Sequence, residues 1–232
     1  MQTMDVNSLT PAGVLVSPAA GRNAGPILKV LRAHLPARGR VLEIAAGSGE
    51  HAVAFAAALP GLDWTPSDPS AEARASIAAR ADAANLPNLR LPLAVDMLDA
   101  ATWPDHPVQA IVCINMVHIS PWAATEGLMM LAGGSLPPGG LLALYGPYRE
   151  ADSPLAPSNA AFDASLKSRD PAWGLRDRDA IAEAAGSAGL ALTLRIQMPA
   201  NNLMLLFRRR PGRTCAGLPE VGRQDEQTEA RP

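Results

Sequence analysis

The sequence predicts an open α/β fold: a mostly parallel sheet of seven strands, the last antiparallel, with helices on both faces. Three observations carry this. Apolar, strand-like runs near 40–45, 62–67, 89–94, 109–115 and 140–146 alternate with helical stretches near 51–59, 70–84 and 121–132, the pattern that parallel strands joined by crossovers produce. A helix, Pro26 to His34, precedes the first strand. The chain closes on two further runs, Leu190 to Met198 and Leu203 to Arg208, and the short polar link Pro199-Ala-Asn-Asn202 pairs them antiparallel.

Taken in order, residues 1–16 are read as a flexible N-terminus and residues 17–210 as one domain. Pro26 suits the first turn of the first helix, whose Ile27, Leu28, Val30 and Leu31 make an apolar face. Val41, Leu42 and Ile44 fit a buried parallel strand, Ala45 to Gly49 form a turn without bulky side chains, and His51 to Leu59 is an Ala-rich helix. After Tyr145 the pattern changes. The stretch at about 147–176 is rich in proline, serine and charge and too long for an ordinary connection, so it reads as a substrate or lid insertion. A helix near 177–188 leads into the final strand pair. Residues 211–232 have few large apolar side chains and are expected to be a disordered tail.

With 232 residues the chain can bury a sizeable core. A formal net charge of −2 disfavours nonspecific binding to nucleic acid or anionic lipid. The two cysteines, Cys113 in an apolar run and Cys215 in the polar tail, support neither a disulfide framework nor a cysteine metal site, and no metal is expected. No apolar run approaches the roughly 18 residues of a membrane span, and Met1 to Thr10 lacks a signal-peptide layout. A soluble, cytoplasmic protein is the expectation.

The densest signal is Arg40-Val-Leu-Glu-Ile-Ala-Ala-Gly-Ser-Gly-Glu-His51, an apolar strand with one acid, Glu43, breaking into a small-residue turn. A buried charge costs several kcal/mol unless it is paired or reaches a polar cavity, so Glu43 needs a partner. Gly47-Ser-Gly49-Glu-His-Ala52 also fits a dinucleotide fingerprint, with Asp68 19 positions after Gly49 as a ribose-binding acid, so a nicotinamide oxidoreductase is one reading. Another is a tight turn that needs glycine for geometry alone. Glu43 weighs against phosphates, because an acid beside a pyrophosphate is repulsive. It suits S-adenosylmethionine, which has a sulfonium and an amino group and no phosphate. The helix before the first strand and the terminal antiparallel pair match the class I methyltransferase arrangement too.

Asp68 ends its strand where a carboxylate can accept from two ribose hydroxyls, or N-cap the next helix. Asp96 and Met97 can hold an adenine by its amino group and face, or be a turn acid beside a core methionine. Asn115 and His118 follow the strand at 109–115, on the carboxyl edge where open α/β sheets bind ligands, and His118 is either a general base or structural. Tyr145 and Tyr148, the only tyrosines, line an acceptor pocket or cap the sheet. In the insertion, Arg169 and Asp170 staple the loop or recognise an anion. Arg22 and Asn23 are placed to fold over the cofactor's carboxylate, while Asn201 and Asn202 read as turn residues.

Ser17-Pro-Ala-Ala-Gly-Arg-Asn23, the Val41–His51 segment, Asn115-Met-Val-His-Ile-Ser-Pro-Trp122, Tyr145-Gly-Pro-Tyr148, Ser158-Asn159, Phe162-Asp163, Arg169-Asp-Pro171 and Pro199-Ala-Asn-Asn202 together resemble the DUF938 family, which includes methyltransferase-like protein 26. The resemblance spans roughly residues 17 to 208. It implies a Rossmann-like, seven-stranded class I methyltransferase with S-adenosylmethionine as cofactor and a poorly defined substrate. On this reading Arg22, Asn23, Glu43, Ala45, Gly47, Gly49, Asp68, Asp96, Met97 and Asn115 hold the cofactor, and His118 and Tyr148 are the catalytic candidates. The acceptor is expected to be a small molecule. A noncatalytic S-adenosylmethionine-binding protein of the same fold is the alternative. Two departures stand out: Ala45 occupies the place of a usual glycine, tolerable if its φ is negative, and Gly21 replaces an acid before Arg22-Asn23.

Overall fold

The structure, a computed structural model, describes residues 8–9 and 14–212. Strand β3 (Gly39–Ile44) lies between β4 (Leu62–Pro66) and β5 (Ala110–Ile114), parallel to both, and β6 (Leu141–Gly146) continues the parallel set beyond β5. The terminal pair, β7 (Leu190–Met198) and β8 (Asn202–Arg209), completes a six-stranded sheet of order β4-β3-β5-β6-β8-β7, in which β8 is antiparallel to both neighbours. A separate two-residue antiparallel pair, β1 (Ser8–Leu9) with β2 (Leu15–Val16), falls within the stretch expected to be flexible. The expected tail lies outside the described residues from position 213 onward.

Among the described residues there are six α-helices: α1 (Pro18–His34), α2 (Glu50–Ala58), α3 (Ala71–Ala84), α4 (Trp122–Ser135), α5 (Pro157–Arg169) and α6 (Arg178–Ser187). Because side chains alternate along a strand, each central strand serves two apolar layers. Val41, Val112, Ala143 and Leu206 meet Ile27 and Leu31 of α1 and Phe55 of α2, whereas Leu42, Ile111, Leu142 and Phe207 meet Leu128 of α4 and Ile181 of α6. Both faces are therefore covered, which is why these strands read as continuous apolar runs.

The expected strand at 89–94 is reduced to isolated parallel bridges at Leu89 and Leu93 beside β4. The cause is Pro92. Arg90 N donates to Trp64 O (2.8 Å), and a regular ladder would next use the residue two positions on; proline has no N–H, and Leu93 N donates to Pro66 O (3.0 Å) instead. This one-residue slip ends regular pairing and accounts for six strands rather than seven.

Two helix assignments also change. Helix α1 begins at Pro18, with Ser17 as its N-cap accepting from Ala20 N, and Pro26 lies inside it. The preference for proline in a first turn, which favoured Pro26, is met eight residues earlier. The insertion at about 147–176 contains α5, which its polar composition concealed. Among the described residues, no helix is long and apolar enough to cross a membrane.

Candidate functional site

Glu43 is 1% exposed, and its Oε2 accepts from the indole Nε1–H of Trp64 at 2.7 Å. Strand register puts Glu43 opposite Pro66, so Trp64 is its diagonal neighbour on the same face of β4. One neutral donor does not offset the loss of water, and burial pushes the carboxyl from 4.5 up to about 7. The partner that the sequence demanded is thus an indole. The alternation of Leu62-Asp-Trp-Thr-Pro66, with Trp64 on the buried face, was the available signal.

The turn after β3 holds three residues in the left-handed region: Ala45 (φ 54°), Gly47 (φ 57°) and Gly49 (φ 84°). A Cβ at Gly49 would lie 3.0 Å from Ile77 Cα on α3, so glycine is needed there for space as well as angle. At Gly47 an added Cβ would meet nothing within 4 Å, so this backbone faces open space that a ligand can enter. Ala45 does not meet the condition, a negative φ, under which alanine is tolerated here without strain. An alanine in this region costs about 1–2 kcal/mol, partly balanced by the extra unfolded-state entropy of glycine. Ala45→Gly is therefore expected to stabilise the protein by about 0.5–1 kcal/mol, read as a higher urea midpoint at unchanged slope.

Asp68 is buried beneath this turn: Oδ2 accepts from Gly47 N at 3.0 Å and Oδ1 from Ser70 N at 2.9 Å. Burial raises its pKa, and these two amides oppose the rise. The N-cap of α3 is Ser70, so Asp68 serves the turn instead. Each carboxylate oxygen retains a second lone pair for a hydroxyl.

At the N-terminal side, sequence reasoning missed Glu50. Its Oε2 accepts from Ser17 N (2.7 Å) and Ser48 Oγ (2.8 Å), tying the start of α1 to the glycine turn. Asn23 Oδ1 lies 2.7 Å from His51 Nε2, and Asn23 also hydrogen-bonds Tyr145 at the end of β6. Arg22 is exposed on the same helix.

Asp96 Oδ1 accepts from Leu98 N (2.9 Å), and its carbonyl accepts from Trp103 Nε1 (2.8 Å). Met97 is buried in the apolar layer with Val95, Val108 and Leu128. Asn115, half-buried with φ 64°, follows β5 and donates its backbone N–H to Tyr145 O.

His118 is fully buried, its ring edge-on to Tyr148 at 4.8 Å, and its Nδ1 accepts from Arg176 N at 3.4 Å. Burial, and then the Arg176 charge, push its pKa down to about 3, while Nε2 has no hydrogen-bond partner. The imidazole is a neutral acceptor at neutral pH and a weak base. Arg176, also missed from sequence, fastens this segment through Val117 O and Ser120 O and lies over the Trp122 ring. A Cβ at Gly146 would overlap His118 Nε2 and lie 2.7 Å from its Cδ2. Because the ring is held from both sides, Gly146→Ala is expected to cost about 2 kcal/mol, seen in equilibrium urea unfolding.

In the insertion, the expected Arg169–Asp170 staple is replaced by another. Asp163 accepts from Arg149, Lys167 and Leu175 N, whereas Asp170 Oδ1 accepts from Ala172 N. Among the described residues no cluster of His, Cys, Asp and Glu is arranged to hold a metal ion.

A family model described as a protein of unknown function, DUF938, matches residues 15–209. Among curated proteins, the chain is 36% identical over 81 residues to a tRNA (guanine-N(7)-)-methyltransferase of Rhodopseudomonas palustris (strain BisB5), a match covering 35% of this chain and 30% of that protein. Among solved structures, it resembles an O-methyltransferase family protein from Burkholderia thailandensis (TM-score 0.71, 20% identity, 84% of this chain and 58% of that one). It also resembles CalO1, a methyltransferase in calicheamicin biosynthesis solved in its SAH-bound form (TM-score 0.66, 16% identity, 82% and 55%). The chain spans less than two thirds of each of these proteins, and at such identities the structural likeness establishes the fold.

Proposed function

Because the chain belongs to the DUF938 family and has a fold shared with methyltransferases, we propose that it is an S-adenosylmethionine-dependent methyltransferase acting on a small-molecule acceptor. The observation that carries this reading is a single arrangement: a buried, electrically strained acid, Glu43, next to a turn whose Gly47 backbone is open and is braced by Asp68.

These residues fit the cofactor's chemistry. Asp68 offers its remaining lone pairs to the ribose hydroxyls, and the glycine turn lets backbone approach the methionine part. Glu43 supplies negative charge to a cationic end, while Arg22 and Asn23 lie on the helix that closes over the turn and serve the carboxylate. Asp96 and Met97, which follow the segment bridged to β4 at Leu89 and beside its end at Leu93, take the adenine, and Asn115 borders it from the end of β5. When bound, S-adenosylmethionine supplies an electrophilic methyl group on a sulfonium. A dinucleotide fits less well, since Glu43 would repel its phosphates.

The chain's part in the reaction is mainly to position the acceptor and exclude water. His118, with a pKa of about 3, is neutral, and because Nδ1 accepts from Arg176 N its proton sits on Nε2, where it can donate to an oxygen and does not act as a base. Tyr148 stands beside it. The formal net charge of −2 supports a small acceptor over a polyanion, and the buried free thiol of Cys113 suits a reducing cytoplasm.

Calorimetry with S-adenosylmethionine and S-adenosylhomocysteine tests the cofactor assignment: micromolar binding is expected, and its absence in folded protein would overturn it. Release of S-adenosylhomocysteine over a panel of small phenols, alcohols and amines then tests for transfer. Turnover on tRNA instead would overturn the small-molecule assignment, and binding without turnover on any acceptor would leave a noncatalytic binding protein.

A further inference from the structure

Leu15 to Ser17, at the end of the stretch expected to be flexible, is bonded to the glycine turn through three side chains, each of which holds both segments at once. Ser76 Oγ on α3 accepts from Leu15 N (2.9 Å) and donates to Ser48 O (3.0 Å). One turn further along α3, Arg80 donates from Nε to Ser48 O (2.9 Å) and from a terminal nitrogen to Leu15 O (2.7 Å). Glu50, at the start of α2, accepts on Oε2 from both Ser17 N and Ser48 Oγ, and its Oε1 lies 3.7 Å from the Arg80 guanidinium. Both backbone groups of Leu15 and both lone pairs of Ser48 O are thereby engaged.

This double use of each side chain has a thermodynamic consequence. With its carbonyl fixed by two donors, the peptide between Ser48 and Gly49 has one orientation, and Gly49 N closes the turn on Ala46 O (3.0 Å). A side chain fixed by one contact has already lost most of its rotamer freedom, so its second contact forms at a smaller entropic cost than its first. Docking of residues 15–17 therefore tightens the turn, and a tightened turn favours docking. The link runs on into the next element, because Ser17 is the N-cap of α1, the helix that carries Arg22 and Asn23. Leu15 adds a buried apolar side chain to the docked segment.

We propose that Ser76, Arg80 and Glu50 are positioning residues of the cofactor site, and that residues 15–17 form a strap whose docking and cofactor binding at the glycine turn favour each other. The inference rests on the cofactor reading above. By linkage, the factor by which a docked strap raises cofactor affinity is the factor by which bound cofactor raises docking of the strap.

Amide hydrogen exchange on the full chain, read by NMR, separates the two segments: Leu15 N and Ser17 N report the strap, Gly47 N and Gly49 N the turn. Saturating S-adenosylhomocysteine is expected to slow exchange at both, by about tenfold at the strap. Slowing at the turn with no change at the strap would overturn the proposal. Two variants approach the link from opposite ends. Arg80→Met removes one bridge and keeps an apolar stem, whereas Leu15→Ala trims the strap and leaves all three bridging side chains in place. Calorimetric affinity for S-adenosylhomocysteine is expected to fall about tenfold in Arg80→Met and about fivefold in Leu15→Ala, with amide exchange in the β7–β8 pair as in the wild type. Wild-type affinity in folded Leu15→Ala would overturn the proposal, since a strap that serves the fold alone gives that result. If the wild type does not bind S-adenosylhomocysteine, the cofactor reading falls, and unliganded Leu15→Ala decides the strap. Faster exchange at strap and turn together would support their coupling, and faster exchange at the strap alone would overturn it.

Discussion

Asp68→Ala is expected to remove measurable binding of S-adenosylhomocysteine from a folded protein, raising Kd at least about 100-fold. The size follows from what the carboxylate does. Hydrogen bonds to a charged acceptor contribute about 1.5–3 kcal/mol each, and two ribose hydroxyls would lose theirs together. A second loss compounds the first. Gly47 N donates to Asp68 Oδ2 and Ser70 N to Oδ1, so the alanine variant also frees the turn that carries the methionine part of the site. Asp68→Asn separates the two effects, because its amide oxygen can keep one backbone donor while its NH₂ faces the other. Its affinity should fall between those of the wild type and the alanine variant. Titration calorimetry, with circular dichroism to verify folding, reads both. Wild-type affinity in folded Asp68→Ala would remove ribose binding from this residue's roles.

The strands that carry the site were legible because each is buried on both faces and therefore continuously apolar, as in Val41-Leu42 and Ala110 to Ile114. The strand at 89–94 was over-read, since composition reports apolar content but not a missing donor; only the position of Pro92 within the ladder shows that pairing must slip. Helix α5 was hidden for the converse reason. Just Asn159, Asp163 and Leu166 of its residues are buried, two of them polar, so it lacks an apolar stripe. In the site, Glu43 and Asp68 announced themselves as acids where strands end or bury. The residues that hold the site together did not. Trp64, Glu50 and Arg176 act across 21, 33 and up to 59 positions of sequence, and their partners are backbone groups or buried atoms that have no signature in composition. The strain at Ala45 was invisible as well, because backbone sign depends on the path of the turn and not on the residue placed there.

Glu43→Gln is expected to make the unliganded protein more stable near neutral pH and at the same time a poorer binder. In the folded state the carboxyl titrates at about 7 rather than 4.5, so between these values the folded protein holds a proton that the unfolded chain has released. Stability from this group is then fully present below about pH 4.5 and is lost as pH rises through 7. At about 1.4 kcal/mol per pH unit, the loss comes to roughly 3 kcal/mol. Glutamine resembles the protonated acid in shape, still accepts from Trp64 Nε1, and does not titrate. Urea unfolding across pH 4.5–8 should therefore give curves that coincide at the acid end and separate towards pH 8, with the variant higher by about 3 kcal/mol. Parallel curves would show that Glu43 ionises normally. The binding arm has the opposite sign. A cation seated against Glu43 favours the carboxylate, so S-adenosylmethionine binding near pH 6.5 should release part of a proton in the wild type and none in the variant, read as buffer-dependent calorimetric enthalpy. Equal buffer dependence in the two proteins would mean that Glu43 does not face the cofactor. An acid that costs the empty protein about 3 kcal/mol needs an occupant to justify it, and a cationic one removes the cost by ionising the group it touches.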